Sequence, residues 1–135
     1  MTSPILAFRA ALREACLADA DLAELMDPSI HDEAPRGNPP VYATFGAVEQ
    51  TDASSSTETG HEQDVEIALW SPRGNAAAAL AAAGRIAAIC EDTSLALAGH
   101  RLVSLAVTRI ASELDETSAA PRVSLRLRVV TEVAD

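Results

Sequence analysis

Apolar positions recur along this chain in two rhythms, one of about 3.6 residues and one of two. Ile5, Phe8, Leu12, Ala15 and Cys16 fall at helical spacing behind Ser3-Pro4, an N-cap followed by a proline suited to the first helical position. Asp19 or Asp21 can cap a second, short helix carrying Leu22, Leu25 and Met26, which Pro28 ends. Ser29–Glu33 has room for a short edge strand, and Ala34–Pro40 is a loop on its proline and glycine content. Val41–Glu49 and Gln63–Ser71 then read as paired antiparallel strands. In the second, Val65, Ile67 and Leu69 alternate with Asp64, Glu66 and Ala68, as in a strand buried on one face.

Helical spacing returns after Asn75, a candidate cap for an alanine-rich helix running to about Glu91, with Ala79, Ala82, Ala83, Ile86, Ile89 and Cys90 as its core stripe. A second stripe of very small residues, Ala77, Ala81, Gly84 and Ala88, lies on another face. It would allow close approach of a neighbouring subunit, or else it is a solvated face of good helix formers. Arg101–Ser112 alternates Val103, Leu105 and Val107 with Ser104, Ala106 and Thr108, and Glu113–Ala120 is an acidic turn. The last strand, Arg122–Val133, sets Val123, Leu125, Leu127 and Val129 on one face and Arg122, Ser124, Arg126 and Arg128 on the other. Those three arginines pair with acids on a neighbouring strand or subunit, or form an ordinary solvated face.

The expected fold is therefore α+β, a single domain over residues 1–135 with a mainly antiparallel sheet of about four to five strands flanked by helices. Its helical part is residues 3–27 and its sheet-and-helix part residues 29–133. Gln50–Glu62, rich in Ser, Thr and acid, is expected to be a flexible loop and a partner contact through Asp52, Ser55, Thr57, Glu58, Gly60 and His61.

Composition narrows the function. Ten arginines, no lysine and twenty acids give a formal charge of −10, which disfavours stable binding to a phosphate backbone. Aromatics are only 3%, so the core must be built from aliphatic residues and alanine. No apolar run is long enough for a membrane span, and the first residues, interrupted by Arg9, Arg13 and Glu14, do not read as a signal peptide. Cys16 and Cys90 each fall on an apolar helix face and read as buried free thiols, with a disulfide left open.

Candidate chemistry is thin. No Gly-x-Ser-x-Gly turn exposes a nucleophile, and Ser71 before Pro72 reads as a strand end. His31, His61 and His100 lie apart, without metal-ligand spacing, and His31-Asp32-Glu33 reads as a surface turn. Glu113, Asp115 and Glu116 form a solvated acidic turn, and the six glycines are scattered singly rather than gathered into a phosphate-cradling loop. No catalytic, metal or cofactor-binding residue is expected.

Over nearly its whole length the chain resembles the tail terminator (tail completion) proteins of long-tailed phages and gene transfer agents. The likeness is carried by the N-terminal helix pair, Ile30-His31-Asp32-Glu33-Ala34-Pro35, Pro40-Val41-Tyr42-Ala43-Thr44-Phe45-Gly46, Ile67-Ala68-Leu69-Trp70-Ser71, Leu97-Ala98-Gly99-His100-Arg101-Leu102-Val103 and Arg126-Leu127-Arg128-Val129-Val130-Thr131-Glu132, in that order. The resemblance implies a structural virion protein, assembled in the bacterial cytoplasm, that forms a ring, usually of six subunits. The ring caps the tail tube protein and joins it to the head-tail connector or stopper. It implies no cofactor, no membrane and DNA only in transit. Candidate subunit contacts are Ala77, Ala81, Gly84, Ala88, Arg122, Arg126 and Arg128. Two other classes stay open on the residues: a small ligand-binding or regulatory module with Trp70 and His100 lining a pocket, and a hydrolase using His100 or the Glu113–Glu116 acids.

Overall fold

The computed structural model describes residues 3–37 and 39–134. Helices α1 (Pro4–Leu17) and α2 (Ala20–Leu25) lead into β1 (Ile30–His31), β2 (Tyr42–Asp52) and β3 (Gly60–Trp70), followed by α3 (Ala76–Asp92), β4 (His100–Leu114) and β5 (Pro121–Val133). The five strands form one sheet in the order β1-β2-β3-β5-β4. All pairings are antiparallel except β1 with β2, so the expected mainly antiparallel α+β domain is what forms.

Local chemistry sets the helix starts. Ser3 accepts a hydrogen bond from the Leu6 amide, Asp19 from Leu22 and Asn75 from Ala78, each satisfying an amide that has no intrahelical partner. The three helices cover one face of the sheet. The α3 stripe of Ala79, Ala82, Ala83, Ile86, Ile89 and Cys90 is wholly buried, against Val65, Ile67 and Leu69 of β3 and Val123, Leu125, Leu127 and Val129 of β5. In α1 the core is Phe8, Leu12 and Cys16 with Ala7 and Ala11, whereas Ile5 and Ala15 reach only its margin. Cys16 and Cys90 are free, buried thiols, and burial pushes each up to about 12.

Two sequence expectations change. The polar segment Gln50–Glu62 is not one loop: Gln50, Thr51 and Asp52 pair with Gln63, Glu62 and His61, so β2 and β3 form a long hairpin and only residues 53–59 connect them. Backbone pairing needs no apolar side chains, and on β2 the side chains of Gln50, Thr51 and Asp52 are exposed even where they face the buried Gln63 row. In β4, Val103 does not alternate with Leu105 and Val107. Irregularities between Leu102 and Ser104 and between Val107 and Arg109 put Val103 and Thr108 outside the register, leaving Leu102, Leu105, Val107 and Ile110 opposite the inward residues of β5.

Candidate assembly surfaces

The face of the sheet away from the helices is a charged ladder. Acids stand on β3 and arginines on β5, in register: Glu66 faces Arg126, Asp64 faces Arg128 and Trp70 faces Arg122. Side chains reach diagonally between these rows. Arg122 donates to Glu66 at 2.7 Å, Arg126 to Asp64 at 3.2 Å and to Glu66 at 3.4 Å, and Arg128 to Glu62. Arg122 also lies over the Trp70 ring, 5.5 Å from its centroid. Burial opposes charge on Glu66, but Arg122, by hydrogen bond and charge, together with Ser124 and Arg126, outweighs it and holds the carboxyl below its usual range. The three predicted arginines thus find their acids on the adjoining strand of the same subunit.

The ladder continues to the sheet's edges. Arg101 of β4 donates to Glu132 of β5 at 2.6 Å, and Glu113 lies 3.5 Å from Arg122. Two charged residues of this face make no ion pair among the described residues: Glu49 on β2 and Arg109 on β4.

The hairpin tip is built by its own hydroxyls. Ser55 accepts from the amides of Thr57 and Glu58, and Ser54 donates to Asp52 at 2.6 Å and accepts from the Gly60 amide. Of the residues expected there, Ser55 and Thr57 are exposed, and Glu58 is half-buried. Gly60 and His61 belong to β3 instead. Gly60 is buried, and a Cβ on it would lie 2.9 Å from the Ala53 carbonyl oxygen and 3.1 Å from that of Thr131. His61 turns to the helix side, where its ring centroid lies 6.5 Å from that of His100.

The small-residue stripe of α3 faces away from the core. Ala77, Ala81 and Gly84 are exposed and Ala88 half-buried, and a Cβ on Gly84 would meet nothing within 4 Å. Arg85, beside it, makes a two-pronged contact with Asp19, at 3.1 and 2.6 Å, tying α3 to the start of α2. That hydrogen bond lowers the Asp19 carboxyl below its usual range.

The chemistry-bearing residues do not converge. Trp70 lies opposite Arg122 on the open face, while His100 lies opposite Val133 at the far end and on the helix side, so they line no common pocket. His100 and Glu113 are at opposite ends of β4, about 40 Å apart along the strand at its usual rise, so they share no site. Ser71 donates to the Asn75 carbonyl at 2.7 Å and fastens the start of α3. His31 is hydrogen-bonded to Asp27 at 2.7 Å. Among the described residues no three His, Cys, Asp or Glu side chains are grouped to hold a metal ion, and no helix is long and apolar enough to cross a membrane.

With that geometry, a known family matches the sequence over residues 10–132: the tail completion protein gp17 family. The chain belongs to that family. Its fold is also that of a chain in the virion of a native gene transfer agent particle, with a TM-score of 0.87 and 28% identity, covering 98% of this chain and 99% of the other. No curated protein matches. The role of this tail completion protein is structural, that of a tail terminator. The edge charges Glu49 and Arg109 had no signal in the sequence. They stand out only once register shows which acids and arginines neutralise each other.

Proposed function

We propose that this tail completion protein closes into a ring, of six subunits, that ends the tail tube and joins it to the head-tail connector. The match to a chain of a gene transfer agent virion carries this reading, because at a TM-score of 0.87 it runs over 98% of this chain and 99% of the other rather than over a shared piece. A closed ring needs two unlike surfaces on each subunit, and the sheet supplies unlike edges, β4 at one end and β1–β2 at the other. The chain does no chemistry in this role. The exposed stripe of Ala77, Ala81, Gly84 and Ala88 is a candidate contact between subunits, and the hairpin tip at 53–59, with Ser55, Thr57 and Glu58, is a candidate contact with tube or connector.

Arg122, Arg126 and Arg128, already neutralised by β3, act in this reading by keeping the sheet in register rather than by reaching a neighbour. The subunit's acidity suits a passage that lets DNA through without holding it.

The test is to add the purified protein to tail tubes assembled without it and to image the tube ends. Six-fold caps at the ends, and recruitment of connector to capped tubes alone, are expected. Bare ends at saturating protein would refute the reading.

A further inference from the structure

The sheet leaves two backbone edges open. Among the described residues no strand lies on the side of β4 (His100–Leu114) away from β5, where only His100 is met, by an isolated bridge to Leu97. On β2, β1 covers only Ala43 and Thr44, so the outer side from Phe45 to Asp52 is also open. Long open edges are templates for pairing with another chain. The β4 edge also exposes apolar side chains a solvated edge would not need: Val103 is 51% exposed, Ile110 45% and Leu114 65%.

We infer that β4 of one subunit pairs with the open edge of β2 in the next, with Arg109 meeting Glu49 across the junction. This rests on the ring reading above and specifies which surfaces close the ring. Strand direction permits it. β2, β3, β5 and β4 alternate in direction, and four is an even number. A copy related by rotation about a ring axis therefore presents β2 antiparallel to β4, and the alternation runs unbroken from subunit to subunit.

Charge favours the same junction. On the open face the acids Glu49, Glu62, Asp64 and Glu66 stand on β2 and β3, whereas β4 carries Arg101 and Arg109, with Glu113 at its far end beside Arg122. The two unpaired residues are thus of opposite sign and sit on opposite edges. Through the ladder, Glu49 shares a row with Asp64 and Arg128, and Arg109 shares the next row with Arg126 and Glu66. A stagger of one row, about 7 Å, sets Arg109 opposite Glu49, and with no stagger they are diagonal neighbours. Closed sheets carry such a stagger as shear. The bulges of β4 would blunt promiscuous pairing, and β2 carries its own irregularity between Phe45 and Val48.

The test uses the full chain on tail tubes, with charge reversal and crosslinking. Glu49→Arg and Arg109→Glu should each reduce capped ends at least tenfold while leaving the unfolding temperature of the free subunit unchanged. The combined variant should restore capping. In a Glu49→Cys/Arg109→Cys variant, a bismaleimide linker should give a ladder of covalent oligomers ending at the ring. Within one subunit the two positions are three strand spacings apart, about 14 Å, so a shorter linker reports only the junction between subunits. Wild-type capping by both single reversals, or capped tubes without a ladder, would overturn this edge pairing and leave the ring standing. Absence of capping by the unaltered protein would overturn the ring, and this inference with it.

Discussion

Gly60→Ala and Gly84→Ala are the same chemical change at two sites where the structure assigns opposite signs. At Gly60 the added methyl would lie 2.9 Å from one backbone carbonyl oxygen and 3.1 Å from another, belonging to Ala53 and Thr131. Ordinary carbon–oxygen contacts lie near 3.3–3.6 Å. Neither oxygen can swing aside as a side chain would, since Gly60 is hydrogen-bonded to Ala53 and lies within the β3–β5 ladder. Overpacking of this kind costs about 1–3 kcal/mol, offset by about 0.4–1 kcal/mol from the stiffer unfolded chain.

At Gly84 the methyl would point into open space on α3, where replacing glycine in a helix interior gains about 0.5–1 kcal/mol. For a domain of this size 1 kcal/mol moves the midpoint by about 3–5 °C. Thermal unfolding followed by circular dichroism should thus drop by several degrees for Gly60→Ala and rise by about 2–4 °C for Gly84→Ala. An unchanged or raised midpoint for Gly60→Ala, or a lowered one for Gly84→Ala, would refute the packing argument. Gly84→Ala has a second readout. If subunits approach closely at that stripe, the stabilised variant should cap tubes poorly, and capping at wild-type yield would make the stripe a solvated face.

Asp19→Ala removes both the cap of α2 and the two-pronged contact with Arg85, and should destabilise by at least the ~1 kcal/mol typical of a lost cap, whereas Asp19→Asn keeps the cap and should cost less; urea unfolding measures both. The folded Asp19 carboxyl titrates below its unfolded value, so its contribution is present above the usual aspartate range and fades as pH falls through the folded value; the wild-type advantage over Asp19→Asn should shrink as acid is added. Cys16 and Cys90 shift the other way: their stabilisation is complete below about 9 and is lost as pH rises through about 12, so stability should fall steeply in that window, less so in a Cys16→Ala/Cys90→Ala chain. Ala119 holds φ at +58° in the turn before β5, so Ala119→Gly should stabilise the fold, by up to the ~1–2 kcal/mol that a left-handed residue costs, and the thermal midpoint should rise.

Much of this fold is legible wherever burial imposes a period. The α3 stripe and the alternation in β3 and β5 are visible because each has one face sealed by the core, so apolar residues can occur only at 3.6 or 2 spacing. Legibility fails where that constraint lapses. Gln50, Thr51 and Asp52 lie at the end of β2 where the side chains are exposed, so nothing in their polarity distinguishes a ladder from a loop. The bulges in β4 are equally silent, and one of them moves Val103 out of the alternation read from the sequence. Arg122, Arg126 and Arg128 read in the sequence as either an ion-paired or a solvated strand face. Their partners, some sixty residues away on β3, are fixed only by register.

The same register bears on the choice between the proposed ring and a two-fold dimer. A two-fold pairing of β4 with β4 about Arg109 sets that arginine against its own copy, and one centred on Leu105 sets it against Arg101. A two-fold pairing of β2 with β2 about Glu49 crowds carboxylates in the same way. Like charges directly opposite one another on a sheet are destabilising. Ion pairs at the surface add little stability, so the ladder of β3 and β5 has a different consequence. By neutralising the interior rows of the open face, it leaves Glu49 unpaired on β2 and Arg109 unpaired on β4 among the described residues. That pair of opposite signs on opposite edges disfavours these two symmetric pairings and suits the head-to-tail one, which repeats around an axis until it closes.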